Sequence, residues 1–151
     1  MGYDIHTLAE VRADGRWKNA GEEHEPFDYR SYALYGFLAD IRNYSHSPVI
    51  SEPRGLPEDV DLHGDDLEHW QHGGGIGTSW LTLAELQAFD YDQVFWDRRV
   101  TKGNDGAALA EEGEGQHITM REHLGEGYFD ELDELAKLGS PEDVRVVFTF
   151  H

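Results

Sequence analysis

An α+β fold follows from two observations: the chain begins and ends in alternating apolar–polar segments, and helical stripes with capping signals fill the space between them. Its 151 residues suit one ordinary domain, spanning 1–151. Aromatic residues make up 12% of the chain, more than a disordered segment carries when 28% of residues are charged.

Residues 3–11 read as a strand, with Tyr3, Ile5, Ala9 and Val11 on one face and Asp4, His6 and Glu10 on the other. Asp14-Gly15 is a hairpin turn signal, and Arg16-Trp17-Lys18 starts the return strand. Asp28 is placed to cap a helix from about Tyr29 to Arg42, whose apolar stripe is Leu34, Phe37, Leu38 and Ile41. Residues 43–60 hold three of the five prolines and are expected as an ordered, extended loop. Residues 61–77, rich in Asp, His and Gly, are expected to be a mobile loop.

Thr82 and Glu85 form a capping box, with Leu81 and Leu86 at the staple positions, so a helix starts there. The following FDYDQVFW reads either as helix end plus strand or as a packed loop. Residues 101–116 read as a second mobile loop. Thr119 and Glu122 repeat the capping spacing, with Gly125 and Gly127 as candidate breaks. Tyr128, Phe129, Leu132, Leu135 and Ala136 form one apolar helical face, ended by Gly139 and Pro141. The final strand places Val144, Val146, Phe148 and Phe150 on one face and Arg145, Val147, Thr149 and His151 on the other. The two terminal strands are therefore expected as neighbours in one small mixed or antiparallel sheet, packed with about three helices.

A net charge of -19 opposes phosphate backbones, so direct nucleic-acid binding is not expected. Such a surface suits a solubility role or an acidic interaction protein, including a mimic of DNA. In the latter case Asp130, Glu131, Asp133 and Glu134 would meet a host protein. There is no apolar run of the roughly 18 residues that a membrane span needs. The N-terminus lacks the apolar core of a signal peptide, and the chain has no cysteine, so the expected location is the cytoplasm.

Three constellations could carry chemistry. Asp4 and His6 share a strand face about 7 Å apart along the chain, a spacing suited to holding one divalent metal or to acid–base work. A metal-dependent hydrolase built on that pair is one reading; a hydrogen-bonded Asp and a half-buried strand His are the other. Between Lys18 and Lys102 every cation is an arginine, the side chain suited to bidentate contact with carboxylate or phosphate. Arg42-Asn43 and the stiff Pro53-Arg54-Gly55-Leu56-Pro57 loop fit an anion site or, equally, a loop pinned by an Arg–carboxylate bridge. His63, Asp65, Asp66, Glu68, His69 and His72 cluster in the third segment, without a metalloprotease pattern.

The opening Met1-Gly2-Tyr3-Asp4-Ile5-His6 resembles the "MG-x-DIH" start of a family of small phage and prophage proteins. The likeness continues through Arg30-Ser31-Tyr32, Leu38-Ala39-Asp40-Ile41-Arg42-Asn43 and Ser51-Glu52-Pro53-Arg54-Gly55-Leu56-Pro57. It resumes at Ser79-Trp80-Leu81-Thr82-Leu83-Ala84-Glu85-Leu86 and ends with Pro141-Glu142-Asp143-Val144-Arg145-Val146-Val147-Phe148. The resemblance implies a phage-type accessory protein acting in the host cell, with counter-defence as a sensible setting. It also raises the weight of Asp4, His6, Arg42, Asn43, Arg54 and Ser79, which lie in matching blocks, over His63, His69 and His72, which do not. Tyr3 stands where that family often has Cys. The leading expectation is binding of a small anionic ligand, a nucleotide or nucleotide-derived signal. Arg42 and Arg54 would contact the anion, Asn43 and Ser79 would add neutral hydrogen bonds, and Asp4 and His6 would line the pocket.

Overall fold

A computed structural model describes residues 2–101 and 107–151. In chain order the elements are β1 (Ile5–Ala13), β2 (Arg16–Asn19), α1 (Tyr32–Ala39), α2 (Gly64–His72), β3 (Ile76–Thr82), α3 (Leu83–Ala88) and β4 (Val94–Asp97). They continue with β5 (Arg99–Thr101), β6 (Ala107–Leu109), β7 (Gln116–Thr119), α4 (Met120–Leu124), α5 (Glu126–Ala136) and β8 (Val144–Phe150). The class is α+β, and both terminal strands lie in one antiparallel sheet. The described residues form five α-helices, where about three were expected.

The chain divides into two compact units, one of residues 1–30, 53–89 and 128–151, the other of residues 31–52 and 90–127. In the first, four strands run in the order β2-β1-β8-β3. Strand β8 is central and paired antiparallel on both sides, Ala9 facing Val146 and Val146 facing Leu81. All seven of its residues are buried, including Arg145 and Thr149, because both sheet faces are covered. One face carries Ile5, Ala9, Leu81, Phe148 and Phe150, and in the same unit Phe27 stacks on Tyr128 at 5.3 Å. On the other, Leu8, Leu62 and Val147 form a cluster against which Leu56, Val60, Leu67, Trp70 and Trp80 pack.

That second cluster explains a departure from the sequence reading. Residues 61–77 hold helix α2 and the start of β3, where a loop was expected. The helix is polar all round except for Leu67 and Trp70, and these two side chains seat it on the sheet. Capping at α3 follows expectation: Thr82 Oγ1 accepts from Glu85 N at 3.1 Å, and Glu85 Oε1 accepts from Thr82 N at 3.1 Å.

In the second unit, β4 pairs with β7 and β5 with β6, both antiparallel. Helix α1 starts at Tyr32 rather than near Tyr29: Ser31 Oγ, not Asp28, accepts from Leu34 N at 3.2 Å. It stops at Ala39 because Asp40 takes a left-handed conformation (φ 58°), its N–H turning back to Gly36 O. Thr119 caps α4, and Gly125, at φ 82°, ends it. The loop expected at 101–116 contains β6 and the start of β7; its residues 102–106 lie outside the described residues.

Candidate functional site

Pairing in the first unit brings together residues far apart in the chain. Glu10 of β1 faces Arg145 of β8, Arg12 faces Trp17 of β2, and Thr82 of β3 faces Arg145 from the other side. Alternation puts all of these side chains on one face of the sheet, at one end. There the guanidiniums and indoles interleave. Arg12 lies 5.0 Å and Arg145 4.2 Å from the Trp17 ring; Arg145 lies 5.6 Å and Arg54 4.8 Å from the Trp80 ring. The sequence of the ladder is Arg12, Trp17, Arg145, Trp80, Arg54. Contacts of this kind are worth about 0.5–2 kcal/mol each, more when water is excluded.

The ladder lines an open cleft of about 670 Å³, whose rim includes Leu56, Glu58, Asp59 and Glu142. Each arginine also has a carboxylate. Arg12 Nε donates to Asp143 Oδ1 at 2.9 Å. Arg145 Nε donates to Glu10 Oε1 at 2.7 Å in a pair that is 3% and 0% exposed, and its Nη2 lies 3.0 Å from Asp59 Oδ1. Arg54 grips both oxygens of Glu85, so the glutamate that completes the α3 capping box also orients the guanidinium. This contact with Arg54 is the main cause holding the Glu85 carboxyl at about 2, and in turn it raises the Arg54 pKa.

The PRGLP segment is anchored to β3, which explains its composition. Gly55 N donates to Thr78 O and Arg54 N to Ser79 Oγ, both at 2.9 Å, while Gly55 holds φ +82°, a conformation glycine adopts without strain. Arg54 and Ser79 thus meet, with Ser79 buried as a loop anchor.

Asp4 and His6 lie at the opposite end of the sheet. His6 faces Thr149, whereas Glu10 faces Arg145; four residues of strand separate the two positions by roughly 13 Å. Asp4 Oδ1 accepts from Arg30 Nη2 at 2.8 Å, and the His6 ring meets His151 edge-on at 4.9 Å. His69, on α2, stacks on His151 at 5.3 Å. Burial first, and then His151, lower the His6 pKa, with Asp4 opposing. Among the described residues, no group of three or more His, Asp or Glu is placed to hold a metal ion.

Arg42 and Asn43 belong to the second unit. Asn43 is absorbed in its own loop: its Nδ2 donates to Asp40 Oδ1 (2.9 Å) and Ser47 O (3.0 Å), and its Oδ1 accepts from Ser47 N (3.0 Å). Arg42 donates to Tyr44 OH at 2.9 Å and, with Asn43 and His46, lines a separate cavity of about 730 Å³. On α5, Asp130, Asp133 and Glu134 are exposed and Glu131 half-buried, its carboxyl pushed up chiefly by burial.

Arg12, Trp17, Trp80 and Arg145 were not singled out as a site from the sequence. The signal was there in Arg145, a cation inside an otherwise apolar strand, but it needed the strand register to acquire partners. No protein-family model, curated protein or solved structure matches the chain.

Proposed function

We propose that the protein binds a small anion carrying a flat ring, of the nucleotide class, in the tryptophan–arginine cleft. The carrying observation is the concentration of scarce groups: of 12 basic residues and four tryptophans in the chain, three arginines and two tryptophans line one opening. Its volume, about 670 Å³, falls in the range of small-molecule sites. Arg12 and Arg54 flank it as forked donors, Arg145 forms its floor, and the half-buried indoles offer apolar surface to a ring. Arg54 keeps the role expected of it. Arg12 and Arg145 take the place that the sequence reading assigned to Arg42.

The arginines are already held by carboxylates, so a ligand enters by exchange, and affinity depends on salt. The resemblance to phage proteins supports a setting in an infected cell, where capture of a nucleotide-derived signal would serve counter-defence. Calorimetry against mononucleotides and cyclic nucleotides, with tryptophan fluorescence alongside, tests the reading. The expected result is heat and quenching for at least one member, both lost in Arg54→Met. No heat with any member at millimolar concentration would refute it.

A further inference from the structure

Resting on that reading of the cleft, we infer that Asp59 is an internal stand-in for the ligand. Its carboxylate occupies the place beside Arg145 Nη2 that the anionic group of a bound molecule takes.

The two carboxylates around Arg145 differ in kind. Glu10 is fully buried, does not line the cleft, and accepts at both oxygens, from Arg145 Nε at 2.7 Å and from Asp61 N at 2.7 Å. It is a fixed counter-charge. Asp59 is 66% exposed and sits in the turn closed by Val60 N to Pro57 O. Its Oδ1 is 3.0 Å from Nη2, yet Nη2, itself buried, makes no hydrogen bond of proper alignment. Arg145 lines the cleft, and this buried corner of its 3%-exposed side chain has its donor capacity unspent.

Charge counting points the same way. Arg145 and Glu10 neutralise each other, so Asp59 adds an uncompensated negative charge at the cleft floor. An exposed carboxylate loses little on turning into water. A ligand carboxylate that displaces it leaves the local charge unchanged, a phosphate monoester makes it more negative by up to about one unit, and either adds the aligned hydrogen bond that Asp59 does not make. The ligand is therefore an anion whose charged group is small enough to reach Nη2 between the Trp17 and Trp80 rings, with the ring system toward the rim.

Wild type, Asp59→Asn and Glu58→Gln are titrated by calorimetry with AMP, benzoate and adenosine. Asp59→Asn is expected to bind AMP, benzoate or both about two- to fivefold more tightly, with no gain for uncharged adenosine. A gain for AMP alone assigns phosphate, and a gain for benzoate alone assigns carboxylate. Glu58 is also exposed on this rim but makes no ion pair with Arg145, so Glu58→Gln measures what removing any one rim charge does and is expected to tighten AMP and benzoate less than Asp59→Asn does. Binding by wild type without a gain in Asp59→Asn, or an equal gain in Glu58→Gln, overturns the stand-in and leaves the cleft reading intact. Absence of binding to all three proteins removes the cleft reading and the stand-in together.

Discussion

Replacing Arg145 by Met tests whether the buried ion pair holds the cleft end of the sheet together. Methionine fills much of the volume but strands the Glu10 carboxylate, which is 0% exposed, without its partner at 2.7 Å. Breaking a buried pair from one side costs about 3–5 kcal/mol. The lost stacking on Trp17 and Trp80 adds about 0.5–2 kcal/mol. Against a total stability of about 5–15 kcal/mol, that is a large fraction. Glu10→Gln keeps an acceptor for Asp61 N and leaves Arg145 close to Asp59, so its cost is smaller, about 1–3 kcal/mol. The double variant removes both charges, and the cycle should show a coupling on the order of 1–3 kcal/mol. Urea unfolding followed by circular dichroism and by tryptophan fluorescence measures all four proteins. Single variants that each cost under about 1 kcal/mol, with additive effects, would refute this account of the pair.

Thr82→Ala removes the α3 cap and loosens Glu85, and should lower stability by about 1 kcal/mol in thermal melts; no change would show that the tertiary contacts of α3 suffice. Acid sensitivity should include a Glu85 contribution. Its folded pKa, about 2, lies below the ordinary 4.5, so the unfolded chain binds more protons there and stability falls as pH drops from about 4.5 toward 2. Glu85→Gln should flatten that part of the wild-type profile, and superimposable profiles would contradict it. Histidine NMR should give a His6 midpoint below 6.5, because burial and His151 disfavour its cation; a midpoint at or above 6.5 would refute that environment.

Local signals were legible where a few neighbouring residues decide the structure. Thr82/Glu85 and Thr119/Glu122 marked helix starts because a cap is made by side chains three positions apart. The start of α1 was misplaced because Asp28 and Ser31 are both good caps, and Phe27, at φ 60°, bends the chain before the helix can begin. Helix α2 was read as loop because its own pattern is polar; two side chains packed on the sheet decide it. The cleft was illegible for a similar reason. Arg12 and Trp17 share one hairpin, but Arg145 lies at the far end of the chain, and only the register of β1 and β8 lines it up with them. His6 shares a strand face with Glu10, as the alternation predicts, but that face runs the length of the sheet and reaches Arg145 only at its far end.

The central place of β8 has a consequence for how this unit is born. Glu10 and Arg145 are 135 residues apart, so β1 waits for nearly the whole chain to leave the ribosome before its main partner exists. At about 5–20 residues per second, that delay is roughly 7 to 30 seconds. Throughout it β1, and from its own synthesis onward β3, lack the neighbour that later lies between them, and both then offer an open backbone edge to other nascent chains. Slower translation lengthens that window, so yield in the cell should depend on synthesis rate and on helpers that shield strand edges.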